Sequence, residues 1–511
     1  MNIEEKTFLG HPRALFILFV TEMWERFSFY GMKALLIFYL TKYHLFSDES
    51  GNLLIGSYAA LVYAVPVIGG FIADRYLGFR KAIVFGGIML VLGHIGMTYE
   101  GNAATQSLTG EIARDNTALQ IFYFSLSLII LGVGFLKANI SSLVGELYEV
   151  GDKRRDSGFT LFYMGINLGS FLATIICVWL GESYGWSYGF GAAGLGMFFG
   201  LATFISGKKL LKGKGESNNQ GFLEKKSFGI KNEWLIYIGS VLSSLLFWQM
   251  VQNHNAVSIA LQVAGGISFL YIVYYAKTQL DGKAREQLIA LTILIIFTIV
   301  FWALFEQAYT SMNLFADRIL DRNIFGIEIS AGQFLSFNAL FIILLAPVFA
   351  WMWVKLGKYN PNTAVKFSLA LGLVGLGFGA LVMGINVSGA GKVAAIWLIL
   401  AYFLHTCGEL SLSPVGLSAV TKLSPVKIVG FMMGVWFLAT ASSEFIASVL
   451  ANIASVDTSN GLVPDLNIAK QSYLKLFEYL FYTGIGFGAL LLMLSPVIKK
   501  LMHGVDKELN N

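Results

Sequence analysis

Long apolar runs separated by short polar links dominate the chain. They occupy approximately residues 14–40, 53–76, 80–99, 119–148, 158–181, 189–207, 234–252, 256–276, 288–315, 331–354, 367–385, 394–420, 429–453 and 474–498. Each is long enough to cross a hydrocarbon core of about 30 Å as a helix rising 1.5 Å per residue. Lysine and arginine cluster on alternate links: 75–81, 153–155, 208–231, 277–285, 355–366, 422–427 and 499–500. Positively charged loops stay cytoplasmic, so this alternation predicts fourteen spans with both termini in the cytoplasm. The runs group as a six-helix bundle (1–207), a polar linker with an inserted hairpin of two spans (208–284), and a second six-helix bundle (285–511).

The first run breaks its own pattern. Within T-E-M-W-E-R-F-S-F-Y-G-M-K it holds Glu22, Glu25, Arg26 and Lys33. At roughly 100° per residue, Glu22, Arg26, Phe29 and Lys33 share a narrow stripe, flanked by Glu25 and Tyr30. Each charge facing lipid would cost about 2.5–3.5 kcal/mol on insertion scales, so the stripe must face protein or a wet cavity. Pairing of Glu22 with Arg26 as internal glue is one account of it. A pathway through the membrane is the better one, because intramembrane charges are expensive to keep.

Composition narrows the class. Of 511 residues, 56% are hydrophobic and only 13% charged, half the charge of an average soluble domain, so the chain is an all-α polytopic membrane protein. A formal charge of +5 gives no reason to expect nucleic acid. Cys177 and Cys407 both fall inside apolar runs, which supports neither a disulfide nor a metal site. The segment after the polar N-terminus is too long and too charged for a signal-peptide core, so it is expected to stay in the protein. No His-Glu-x-x-His, Gly-x-Ser-x-Gly or paired metal ligands occur; the reading therefore assigns no catalytic residue, no metal and no cofactor, and sets an intramembrane enzyme aside.

Further ionisable residues lie within the runs: Lys137, Glu306, His405 with Glu409, and Glu444. Cations concentrate in the first half, and the second half holds carboxylates with no cation near them along the sequence. A cavity between the halves would be cationic on one wall and anionic on the other, which suits a zwitterion with separated ends. Tyr30, Tyr63, Trp302 and Trp436 would give apolar but tolerant walls. Glu306 near Lys33, or Glu409 near Lys137, would alternate between an ion pair and a protonated acid, opening one side of the cavity when broken. His94 is expected to be a hydrogen-bonded structural histidine; His405, one turn before Glu409, is an open candidate for coupling.

E-x-x-E-R-F-x-[YF]-Y-G, here at 22–31, resembles the signature of the proton-dependent oligopeptide transporter family of the major facilitator superfamily. The likeness extends to G-G-F-I-A-D-R-Y-L-G-F-R-K at 69–81, G-F-L-K-A-N at 134–139, F-Y-M-G-I-N-L-G at 162–169, F-W-A-L-F-E-Q at 301–307 and G-E-L-S-L-S-P-V-G-L-S at 408–418. The 69–81 motif has a weak echo at 346–357, the corresponding link of the second half, as paired repeats would. The resemblance implies the major facilitator fold and proton-driven symport of di- and tripeptides across the bacterial inner membrane. It implies that Arg26, Lys33 and Lys137 meet the peptide carboxylate, and that Glu409, with Asn167 and Asn338, meets the amino end. It further implies that Glu22, Glu25, Arg26 and Glu306 couple protons, while Tyr30, Tyr63, Trp302 and Trp436 line the pocket. Departures are Phe29 for a common tyrosine, Lys33 for arginine, Ala138 for proline, and Gly56 where animal members carry a histidine. Alternatives on the same scaffold are a carrier of nitrate or another small solute, or a multidrug antiporter; the presence of Glu22, Glu25, Arg26 and Glu409 together favours peptide.

Overall fold

The structure is a computed structural model describing residues 7–149, 152, 154–459 and 461–505; Gly151 and Lys153 of the predicted basic link lie outside them. Helices form where the apolar runs predict: α1 (Arg13–Phe38), α2 (Asp48–Ile72), α3 (Phe79–Met97), α4 (Asn116–Glu146), α5 (Arg155–Tyr184), α6 (Trp186–Gly207) and α7 (Asn232–Gln252). They continue as α8 (His254–Thr278), α9 (Gly282–Phe305), α10 (Ser336–Leu356), α11 (Thr363–Val387), α12 (Ala395–Leu423), α13 (Val429–Ala451) and α14 (Leu466–Leu501). Among the described residues thirteen helices are long and apolar enough to cross a membrane. The remaining long one, α1, has 26 residues and carries the charged stripe, giving fourteen spans.

Packing divides the chain into two compact units: one runs through Tyr39 and then Leu61–Asn253, the other takes Leu40–Ala60 and the chain from His254 onward. In the first unit α3 packs on α4, α1 on α5 and α6, and α7 lies against α4. In the second, α11 packs between α12 and α14, α9 on α13, and α8 on α13. The two arms of the inserted hairpin thus belong to different units.

Several predicted links are more ordered than their polarity implies. Asp48 and Glu49 form the first turn of α2, not a loop; acidic side chains favour the positive end of a helix dipole. The 69–81 motif is helical almost throughout: α2 runs into a π-helical turn, Ala73–Leu77, and Gly78 alone turns the chain into α3. Gly78 sits at φ 78°, and a β-carbon there would strike the backbone of Glu216 and Ser217. The basic 208–231 stretch is stitched to that turn. Arg80 N–H donates to the Gly215 carbonyl at 2.9 Å, Gly215 N–H to Glu146 Oε2 at 2.8 Å, and the Ser217 hydroxyl to the Tyr76 carbonyl.

The 355–366 link is shorter than predicted because α11 begins at Thr363. Lys366 is therefore a helix residue, buried, with Nζ 4.6 Å from the centre of the Trp353 ring; an aromatic face accepts the charge in place of water. The predicted run 288–315 is also broken. After Phe305 the chain tightens into a 3₁₀ turn, Glu306–Tyr309, and a short helix, Ser311–Arg318, follows. Gln307 explains the tightening: its side-chain amide donates 2.8 Å to the Ala447 carbonyl of α13, while its Oε1 accepts from the Ser311 hydroxyl at 2.6 Å.

Candidate functional site

Within the first unit, α1 is packed by α5 and α6, so its charged stripe is turned inward: Glu22, Glu25, Arg26 and Lys33 are all buried. Arg26 Nε donates 2.8 Å to Glu22 Oε1 and lies 2.7 Å from Glu25 Oε2. The guanidinium thus joins two carboxylates on one helix, one turn back and one residue back, where simple i,i+4 spacing accounts only for Glu22. Its satisfaction is incomplete. Arg26 Nη2, Glu22 Oε2 and both oxygens of Glu25 are buried with no hydrogen-bond partner among the described residues, Glu25 Oε2 meeting Arg26 as an ion pair only. Phe29, in the departure from tyrosine, presents its ring 5.8 Å from the Arg26 guanidinium carbon and packs edge-on to Tyr30 at 5.3 Å.

Lys137 of α4 joins the same cluster. It lies within electrostatic range of Glu25, and its Nζ stands 3.8 Å from the ring centre of Tyr63 on α2. The structure therefore brings Glu22, Glu25, Arg26, Tyr30, Tyr63 and Lys137 together in one unit. Lys33 is buried two turns along α1 from Arg26. Asn167 is buried on α5, and its amide donates to the carbonyl of Tyr163 at 3.1 Å, a bond inside its own helix.

The second unit gathers the carboxylates. Glu409 of α12 is buried, and its Oε2 accepts from Asn338 Nδ2 of α10 at 3.1 Å. The same amide lies 3.0 Å from Thr406 Oγ1, which in turn donates to the Tyr402 carbonyl. Glu306 starts the 3₁₀ turn after α9 and lies within electrostatic range of Glu409. Trp302, one turn earlier, packs edge-on to Phe301 and Phe305, both at 5.2 Å. Trp436 of α13 covers Gly416 of α12, and Glu444 is buried two turns further along α13. Among the described residues no three His, Cys, Asp or Glu side chains gather where they could hold a metal ion.

A family model for the POT family matches residues 80–472. The chain belongs to the POT family. It is 37% identical to the uncharacterized transporter YclF of Bacillus subtilis over 515 residues, covering 99% of this chain and 98% of that one. It is 34% identical to a di-/tripeptide transporter of Lactococcus lactis over 527 residues, covering 99% of both. A mutant of peptide transporter POT, crystallised with alafosfalin, superposes with a TM-score of 0.82 at 36% identity, covering 98% of this chain and 97% of the other.

Two histidines separate clearly. His405 Nε2 bonds the Val374 carbonyl at 3.1 Å and its ring packs on Phe378 at 4.8 Å, so its contact is with α11 and not with Glu409. His94 is buried, yet neither ring nitrogen has a hydrogen-bond partner among the described residues, contrary to the hydrogen-bonded histidine expected. Its neighbourhood is the close α3–α6 packing at Gly194. Gly56 has a structural reason: a β-carbon there would run into Ser448 of α13, leaving no space for a histidine.

Sequence reasoning missed one buried cluster. In the second unit, Arg318 donates through Nη1 and Nη2 to the two oxygens of Asp48 at 2.6 and 2.7 Å. Val456 N–H completes Asp48 at 3.0 Å, and the Tyr473 hydroxyl stands 3.5 Å from the guanidinium. Lys42 pairs with Asp317 at 2.6 Å beside it. No spacing rule connects residues 270 positions apart, and each falls outside the apolar runs.

Proposed function

We propose that this chain is a proton-coupled symporter that imports di- and tripeptides by alternating access. The observation that carries the reading is the Arg26 clasp: a buried guanidinium held at Nε by two carboxylates, with Nη2 unpartnered among the described residues. A fork of charged N–H groups is the geometry that receives a carboxylate, and Lys33 and Lys137 add cationic charge for it. Glu409, oriented by Asn338, supplies the acceptor for a peptide ammonium, with Asn167 assisting. Tyr30, Tyr63, Trp302 and Trp436 give side-chain pockets that contact without selecting strongly.

Glu22, Glu25 and Glu306 carry the proton. Protonation of Glu22 or Glu25 weakens its hold on Arg26 and changes what the guanidinium can offer a substrate. Lys33 with Glu306, and Lys137 with Glu409, form ion pairs in one state of the cycle and break in another; protons and peptide shift the balance by their unequal affinity for the two states. The moving bodies are the six-helix bundles 1–207 and 285–511, with 208–284 as an insertion. The protein works in the cytoplasmic membrane with both termini inside, as the positive-inside rule requires of its basic links. The proton gradient supplies the work, with no cofactor and no catalytic step. The di-/tripeptide transporter of Lactococcus lactis supports the substrate class.

The test is uptake of labelled dialanine into proteoliposomes under an inward proton gradient, with and without an uncoupler, beside free alanine and nitrate. Uncoupler-sensitive accumulation of the dipeptide alone is expected. Movement of nitrate or a drug with no dipeptide uptake would overturn the substrate and leave the scaffold. Glu306→Gln should retain downhill exchange while losing accumulation; normal accumulation would remove Glu306 from the coupling scheme.

A further inference from the structure

The inserted hairpin's first helix closes a groove of about 800 Å³ that none of the transport residues lines. Its walls are the starts of α3 and α7 and the end of α6, three helix termini at one face of the first unit, with the stitched linker beneath. One end is cationic: Arg80 and Lys81 in the first turn of α3, and Lys208 just after α6, face a single lining carboxylate, Glu216. Moving away from that end the lining turns mainly apolar. Arg80, Val84 and Ile88 on α3, and Trp234, Ile238 and Leu242 on α7, form parallel stripes at helical spacing. Each stripe rises about 12 Å, within the half-thickness of a hydrocarbon core of about 30 Å. Stacking of Phe85 on Tyr237 at 5.0 Å forms the back wall, and the lips are open, with Ile88 41% and Leu242 59% exposed.

We propose that this groove binds one anionic phospholipid of the adjoining leaflet, its phosphate at the Arg80–Lys81–Lys208 end and an acyl chain between α3 and α7. Charge complementarity and depth both favour that occupant over a peptide helix, which would be too wide to lie between two stripes already in contact at Phe85 and Tyr237. The cations retain donors for a phosphate. Arg80 Nη1 is engaged by Glu216 at 2.5 Å and Lys81 by Glu233 at 2.8 Å, each leaving further N–H groups. Lys208 has no carboxylate within ion-pair distance among the described residues. Trp234 at the polar end is the amphipathic ring expected at headgroup depth. The lipid would tie α7 to α3 and to the linker, giving the inserted hairpin a role as part of a lipid site.

Native mass spectrometry of the purified full chain, titrated with phosphatidylglycerol or phosphatidylcholine, tests this. One phosphatidylglycerol per chain should be retained about tenfold better than phosphatidylcholine. Lys81→Glu with Lys208→Glu should abolish the preference, and so should Ile238→Trp, which fills the apolar groove without changing charge. Lys499→Glu with Lys500→Glu, on another basic terminus, should leave it intact. Equal retention of the two lipids, or equal loss from both charge reversals, would overturn the site. Millimolar inorganic phosphate displacing the lipid from wild type, with Ile238→Trp indifferent, would do the same by assigning the cations to a free anion.

Discussion

Two arginines with covered side chains meet carboxylates at nearly the same distances in different arrangements. Arg318 engages both oxygens of Asp48 in a parallel fork, with the Val456 amide adding a bond to Asp48 and the Tyr473 hydroxyl standing 3.5 Å from the guanidinium. Arg26 draws Glu22 and Glu25 to the same nitrogen and leaves Nη2, Glu22 Oε2 and both Glu25 oxygens without hydrogen-bond partners among the described residues. An unmet buried polar group costs its desolvation in full, so such a group is uncommon and invites a partner. The Asp48 fork holds the Leu40–Ala60 segment to the second unit; the open donor of Arg26 is where we propose that the substrate carboxylate arrives.

The comparison breaks most visibly at Arg26. Arg26→Ala removes the fork proposed to receive the peptide carboxylate; two charge-assisted bonds at about 1.5–3 kcal/mol each predict that dipeptide uptake falls at least about 100-fold. Arg26→Lys keeps charge without the fork and should fall between, measured by concentration-dependent uptake. Arg318→Ala should act on stability instead. It leaves Asp48 buried and uncompensated, a loss of about 3–5 kcal/mol read as a lowered melting temperature in detergent, and Asp48→Leu beside Arg318→Leu should recover most of it. Unchanged melting of Arg318→Ala would erase the distinction between the two arginines.

Smaller substitutions sharpen the contrast. Asn338→Ala strips Glu409 of its oriented donor, with an expected loss of about 1.5–3 kcal/mol of substrate affinity and a raised KM for dialanine. Gly56→Ala forces a β-carbon against Ser448 and should cost about 1–3 kcal/mol of stability in the segment that Asp48 anchors.

Legibility in the sequence followed contrast with the surroundings. Glu22, Glu25 and Arg26 stood out because charge within an apolar run is costly, and the fourteen spans stood out because lipid demands length. Lys366 was misplaced for the same reason: a lysine near a run's edge reads as a loop charge, and only the position of Trp353 shows that an aromatic face shelters it. The break after Glu306 depends on Gln307 reaching the Ala447 carbonyl 140 residues away, and the Asp48–Arg318 fork spans 270. Partners that far apart are chosen by tertiary packing, which periodicity does not encode. Gly56 was visible as an oddity, but its cause, Ser448, was not.

The most direct test of the Arg26 assignment is lumenal acidification in proteoliposomes carrying a pH-sensitive dye, with dialanine or its C-terminal amide added outside and no gradient imposed. Acidification by dialanine, absent with the amide and absent in Arg26→Ala, is the predicted result. Equal acidification by dialanine and its amide in the wild type would contradict it, because the open Nη2 end of the Arg26 guanidinium would then not be what receives the peptide.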